Sequence, residues 1–227
     1  MISFHDIAKG SDFMVKFLSV ATGTRVEFPA FIKNFSDAYN VGWSAETVYG
    51  RMDPIQTYQG TTRSISIAFD VVSPSLEKAE ENMFEYSKLI QMLYPVYGEP
   101  LVGRMGKGRT LAAPPLLRVQ FCNLVKNNSQ FSEEEGLLGC ISGFTFEPDS
   151  EAGYFSRGNE LLAKAFSISF TFEPQHEHEL GFERDEFINR NFPYGRPQPS
   201  LPSADNVPSA NSDVVTSRTN SITGGDD

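Results

Sequence analysis

Arg63-Ser-Ile-Ser-Ile-Ala-Phe-Asp-Val-Val72 decides the fold class. Ile65, Ile67, Phe69 and Val71 alternate with Ser64, Ser66, Ala68 and Asp70. A pleated strand sends successive side chains to opposite faces, so this run belongs in a sheet with one face buried. The same period recurs in Ala165–Phe172, with Phe166, Ile168, Phe170 and Phe172 inward, in Leu117–Phe121 and in Cys140–Phe146. It is weaker in Arg25–Phe28 and Trp43–Tyr49, and at least six strands are expected. Leu76, Ala79, Met83, Tyr86, Ile90 and Leu93 instead recur every three or four residues, one stripe of a helix, while Glu77, Lys78, Glu80, Glu81, Glu85 and Lys88 mark its wet side. Ser73 before Pro74 reads as the N-cap, and Pro95 ends the helix after Tyr94. The expected fold is α+β, mainly antiparallel β, with one long flanking helix over about Ser73–Tyr94.

The chain has 227 residues, 40% of them hydrophobic, which is enough for a sizeable core. Its 19 Lys and Arg face 29 Asp and Glu, a net charge of -10. That balance disfavours sequence-specific nucleic-acid binding, which needs cationic patches to displace counterions. The excess is uneven: Met1–Lys126 holds 13 basic and 12 acidic residues, and Asn127–Asp227 holds 6 and 17. Met1–Gly10 lacks the apolar stretch of a secretory leader and no long apolar run follows, so a soluble chain without a membrane partner is expected. Cys122 and Cys140 read as reduced core thiols. From Asn191 onward Pro, Ser, Asn, Gly and Thr dominate, a composition too poor in apolar surface to offset ordering entropy. The expected organisation is a β domain with its helix over residues 1–190, then an extended low-complexity C-terminal tail over 191–227.

Catalytic patterns are weak. In Gln175-His-Glu-His-Glu-Leu-Gly181, His176 and His178 alternate, so both can point one way and share a metal, but the spacing is not the i, i+4 pair of a helical zinc motif. Gly103-Arg-Met-Gly-Lys-Gly-Arg109 departs from a phosphate loop at two positions, and Glu133-Glu134-Glu135 reads as a solvated acidic face. No nucleophile elbow is present. The chain is expected not to be an enzyme and to use no cofactor or metal. Phe144-Thr-Phe-Glu-Pro148 recurs as Phe170-Thr-Phe-Glu-Pro174, which suggests two strand ends delivering Glu147, Asp149 and Glu151, then Glu173, Glu177 and Glu179, to one neighbourhood. Tyr49–Gly60 reads as a long loop between two strands. It offers Arg51, Met52, Asp53, Ile55 and Tyr58 as candidate interface residues.

Val41-Gly-Trp-Ser-Ala-Glu-Thr-Val-Tyr-Gly-Arg-Met-Asp-Pro-Ile-Gln-Thr-Tyr-Gln-Gly-Thr-Thr-Arg63, the strand and helix after it, Pro114-Pro-Leu-Leu-Arg118, Gly139–Asp149 and His176-Glu-His-Glu-Leu-Gly-Phe182 together resemble the tail-tube initiator or baseplate hub proteins of contractile-tailed bacteriophages. The likeness runs from about Phe28 to Phe182, and its most specific piece is Tyr49-Gly-Arg-Met-Asp-Pro-Ile55. It implies a tube-protein-like β-barrel or sandwich whose copies form a homo-hexameric ring. It also implies a virion location at the baseplate and tail tube after synthesis in the host cytoplasm, with neighbouring tube and hub proteins as partners. In such a ring Glu147, Asp149, Glu151, Glu177 and Glu179 are the candidate channel-facing acids, keeping DNA phosphates off the wall. Two other readings stay open: a metal-dependent hydrolase-like hub component using His176 and His178, and a monomeric soluble adaptor.

Overall fold

The alternating run from Ile65 to Val71 is one half of an 18-residue strand, and all four of its apolar members are buried. The computed structural model describes residues 13–100, 109–127, 136–184 and 186–195. In chain order the strands are β1 (Met14–Ser19), β2 (Arg25–Pro29), β3 (Phe31–Glu46) and β4 (Ile55–Val72), then helix α1 (Leu76–Met92) and β5 (Val96–Pro100). There follow β6 (Arg109–Ala113), β7 (Leu117–Phe121), β8 (Leu137–Pro148), β9 (Tyr154–Arg157), β10 (Glu160–Ala163), β11 (Ala165–Pro174), β12 (Phe182–Glu183) and β13 (Glu186–Phe187). Seven of them form one sheet in the order β2-β1-β7-β8-β11-β4-β3, every pairing antiparallel. Strands β5–β6, β9–β10 and β12–β13 are separate two-stranded ribbons.

The sheet is rolled. At roughly 4.8 Å per strand, a flat sheet would hold β1 about 14 Å from β11 and β2 about 24 Å from β4. Yet the rings of Phe17 and Phe170 are 5.5 Å apart, and those of Phe28 and Phe69 are 6.3 Å apart. Strands β2 and β3, at opposite ends of the order, are joined through Ala30 alone. Burial of four phenylalanines against one another draws the ends together, and right-handed strand twist provides the curvature. The fold is α+β and mainly antiparallel β; the resemblance implies a β-barrel or sandwich, and among the described residues no ladder joins β2 to β3 to close a barrel.

Helix α1 covers the apolar side of this roll. Leu89 and Met92 belong to the same core as Phe17, Ile67 and Phe170, and Tyr86 stacks on Phe146 at 4.2 Å. The buried stripe is Ala79, Asn82, Leu89 and Met92, about one residue round from the expected one. The cap differs as well. Ser73 is buried just past the end of β4, donating its N–H to the Lys164 carbonyl at 2.7 Å and accepting from Asn82 Nδ2 at 2.9 Å, so it does not cap the helix. Ser75, extended at φ -141°, is the true N-cap and accepts from the Lys78 N–H at 3.3 Å.

Neither cysteine is in a disulfide, and each is half-buried, Cys122 against the core in a turn at φ +45° and Cys140 beside Gln175. Strand β1 carries Val15 and Phe17, both fully buried, in a run that also holds apolar Phe13, Leu18 and Val20 and so hides its alternation. Residues 1–12, the basic connector 101–108, the acidic run 128–135 and the tail segment 196–227 lie outside the described residues.

Candidate interaction site: a hairpin arm and its root

Strand β11 pairs with β4 only as far as Ile65, opposite Phe172. Beyond that point, among the described residues, β4 has only β3 beside it, and the two leave the body as a ribbon. From Asn40↔Thr62 to Glu46↔Ile55 the ribbon has seven residue pairs, so it projects roughly 24 Å before its turn. Gly60, at φ +153°, faces Gly42 beside a bulge at Gln59, and Gly50 at φ +82° supplies the left-handed turn residue.

Paired residues share a face in an antiparallel ribbon. Tyr39, Val41 and Trp43 therefore stand opposite Arg63, Thr61 and Tyr58, on the side continuous with the buried face of β4. The Trp43 and Tyr58 rings meet edge-on at 5.5 Å, and the Tyr58 hydroxyl shares a 2.7 Å hydrogen bond with Thr61. Trp43 is nonetheless 58% exposed, Tyr49 and Met52 at the turn are fully exposed, and Val41, Val48 and Ile55 are about half exposed. A two-stranded ribbon is marginal alone in water, and exposed Trp, Tyr and Met are side chains of the kind that anchor interfaces.

The five candidate interface residues all fall here. Arg51, Met52 and Asp53 lie in the turn, where the Arg51 N–H donates to the Val48 carbonyl at 3.3 Å. Ile55 and Tyr58 lie in strand rather than loop, opposite Glu46 and Trp43, so the expected Tyr49–Gly60 loop shrinks to residues 47–54. The sequence reading missed Val41, Trp43 and Tyr49 as surface residues. The alternation of Tyr39, Val41 and Trp43 was the available signal, but alternation alone does not say whether a face is covered.

At the arm's root is a buried ion pair. Arg63 Nε and Nη2 donate to the two Asp37 oxygens at 2.9 and 2.7 Å, with side-chain exposures of 2% and 4%. Two rings lie against the guanidinium, Tyr39 with its centre 5.4 Å away and Phe192 with its centre 5.3 Å away. The hydroxyls of Tyr194 and Tyr39 donate to Asp37 at 2.9 and 3.1 Å. Burial pushes the Asp37 carboxyl up, but the Arg63 hydrogen bonds and charge, with those of the two tyrosines, outweigh it and hold the group below its usual value. Burial, and the neighbouring carboxylate, push both tyrosine hydroxyls up, so they stay neutral donors.

The acidic candidates do not gather. Because β8 and β11 are antiparallel neighbours, the two Phe-Thr-Phe-Glu-Pro copies end at opposite edges of the sheet: Pro148 pairs with Phe166, and Pro174 with Gly139. Eight residues of β11 put those ends roughly 27 Å apart. The expected common neighbourhood is therefore corrected. Glu147, Asp149 and Glu151 are exposed at one end, where Asp149 accepts the Glu151 N–H at 2.8 Å. Glu177 and Glu179 are at the other, and Glu177 receives both Arg118 nitrogens at 2.7 Å. Those hydrogen bonds hold its carboxyl below the usual range and neutralise its charge in place.

His176 rests edge-on against Phe192 at 5.6 Å, and desolvation with the nearby Arg63 charge lowers its pKa. Among the described residues no three His, Cys, Asp or Glu side chains are grouped as a metal site would require, and no helix is long and apolar enough to cross a membrane.

No family model and no curated protein matches the sequence. Among solved structures, a chain of the anti-feeding prophage baseplate, determined by cryo-EM and 6-fold symmetrised, is similar to this one. The two are 9% identical, with 70% of this chain and 87% of that one covered and a TM-score of 0.29.

Proposed function

We propose that this chain is a structural subunit of a contractile phage tail, that its copies close into a ring of six where the baseplate meets the tail tube, and that the β3–β4 arm makes the contact between copies. The observation that carries the reading is the arm itself: a ribbon with exposed Trp43, Tyr49, Met52 and Tyr58, outside any third strand among the described residues. The sequence resemblance from Phe28 to Phe182 supports it and supplies the ring, its location in the virion, and the tube and hub proteins as neighbours.

A contact between two different surfaces of one chain closes only when its rotation divides a full turn, and otherwise runs on as a filament. An arm inserted into the next copy is such a contact. It also covers the outer edge of β3, sixteen residues long, which otherwise offers unpaired backbone groups to any strand. In that ring Glu147, Asp149 and Glu151 serve a wall that repels phosphate, with Glu179 at the far end of the sheet and the charge of Glu177 held by Arg118.

Met52→Asp with Tyr58→Asp tests the contact. Both side chains are exposed, so the subunit should fold with an unchanged circular dichroism spectrum, yet sediment as a monomer where the parent sediments as a ring. A double variant that assembles at the parental rate would place the contact elsewhere. A parent that stays monomeric, with isolated single copies in particles, would remove the ring reading.

A further inference from the structure

We propose that residues 191–195 are a strap that fixes the direction in which the β3–β4 arm leaves the body. The proposal is independent of what the arm meets.

The root of the arm is a mechanical weak point. Up to Ile65, strand β4 is held on both sides, by β3 and β11; from Arg63 outward it is held by β3 alone. A sheet that thins from three strands to two twists and bends at that step unless something braces it. The residue at the step, Arg63, is 5% exposed although the ribbon beyond it lies open to water.

What buries it comes partly from the ribbon and partly from far along the chain. Asp37 and Tyr39 belong to β3, but Phe192 brings a second ring against the guanidinium at 5.3 Å, and Tyr194 donates a further hydrogen bond to Asp37 across 157 residues of sequence. Phe192 also meets Tyr39 edge-on at 6.3 Å.

The strap is tied to the body at its other side. Asn123, in the turn after β7, donates to the Tyr194 carbonyl at 3.4 Å, and His176, just past the end of β11, packs against the Phe192 ring. Backbone bonds from the Phe192 N–H to the Asn189 carbonyl at 3.3 Å, and from the Gly195 N–H to the Asn191 carbonyl at 2.6 Å, hold the strap in its curl. A desolvated guanidinium demands partners in fixed geometry, because its fork of donors and its two flat faces are all directional. Arg63 therefore converts the position of the strap into the angle of the arm. Phe192 and Tyr194 are positioning residues, acting on the arm through Arg63 and Asp37.

The test uses the full chain with Phe192→Ala and, separately, Tyr194→Phe, which keeps the ring and removes only the hydroxyl. Amide hydrogen exchange is followed by peptide, and the rotational freedom of Trp43, the single tryptophan, is followed by time-resolved anisotropy. In Phe192→Ala, exchange across residues 37–45 and 57–63 should quicken roughly tenfold, about the value of one cation–π contact to a desolvated charge. Trp43 should gain motion while residues 166–172 keep parental protection. Tyr194→Phe should give the same pattern at smaller amplitude. Arm exchange and Trp43 anisotropy unchanged in both variants would overturn the proposal. So would acceleration spread evenly over the arm and β11, since that is the mark of general destabilisation.

Discussion

Removing the Asp37 carboxylate should cost this protein a large share of its stability. With Asp37→Ala the guanidinium of Arg63, 2% exposed, keeps its charge but loses both in-plane hydrogen bonds. Breaking one side of a buried pair in this way costs about 3–5 kcal/mol, because the remaining charge stays desolvated. Whole domains are stable by only about 5–15 kcal/mol. For a domain of this size each kcal/mol moves the midpoint by roughly 2–4 °C, so a fall of about 6–20 °C is expected. The cost belongs to the orphaned charge, not to the lost attraction. Asp37→Leu with Arg63→Met should therefore recover most of it, since exchanging a buried pair for apolar residues is often neutral. Thermal and urea unfolding followed by far-ultraviolet circular dichroism measures both variants. A single variant that loses less than about 1 kcal/mol, the value of a surface pair, would refute the burial of this site. A double variant no better than the single one would refute the charge argument.

Gly139→Ala should destabilise by about 1–3 kcal/mol, the cost of overpacking a core, because a Cβ there would stand 2.3 Å from the Glu173 carbonyl oxygen and 2.8 Å from the buried Phe172 ring; chemical denaturation gives the value. The helix cap separates two serines: Ser75→Ala should cost about 1 kcal/mol as a lost N-cap, whereas Ser73→Ala should act through the orphaned Asn82 amide, so combining Ser73→Ala with Asn82→Leu should relieve part of its cost. Asp37 and Glu177 both have carboxyls lowered by folding from ordinary values of 3.8 and 4.5. Their contribution is therefore complete above those ordinary values and is lost as pH falls through the folded ones. Stability measured from pH 6 downward should decline below about pH 4.5, and Glu177→Gln should flatten the upper part of that decline.

The alternation of Ile65, Ile67, Phe69 and Val71, that of Phe166 to Phe172, and the stripe through Ala79 and Tyr86 each follow from one local rule, the period of a strand or a helix. Residues obeying that rule need no knowledge of their neighbours, so the α+β class, the helix and the hairpin around Gly50 were legible. So was the exposure of Arg51, Met52, Asp53, Ile55 and Tyr58, because polar turn chemistry beside Met52 and Tyr58 marks a surface in any fold.

Strand order is a different kind of fact. Nothing in the repeated Phe-Thr-Phe-Glu-Pro says that its two copies lie on adjacent antiparallel strands, and that single pairing sends Glu147 and Glu177 to opposite ends of the sheet. The helix start moved from Ser73 to Ser75 because Ser73 is held by Lys164 and Asn82, partners that a local cap pattern does not contain. The arm's root is non-local in the same way, with Asp37, Arg63, Phe192 and Tyr194 drawn from three distant stretches of chain. The sequence by itself determined which residues are pleated, which are helical and which face must be apolar, since those depend on spacing along the backbone. Only the tertiary structure decided that the sheet rolls, that β3 and β4 run past its edge, and that Arg63 is buried there, since those depend on which distant surfaces exclude water together.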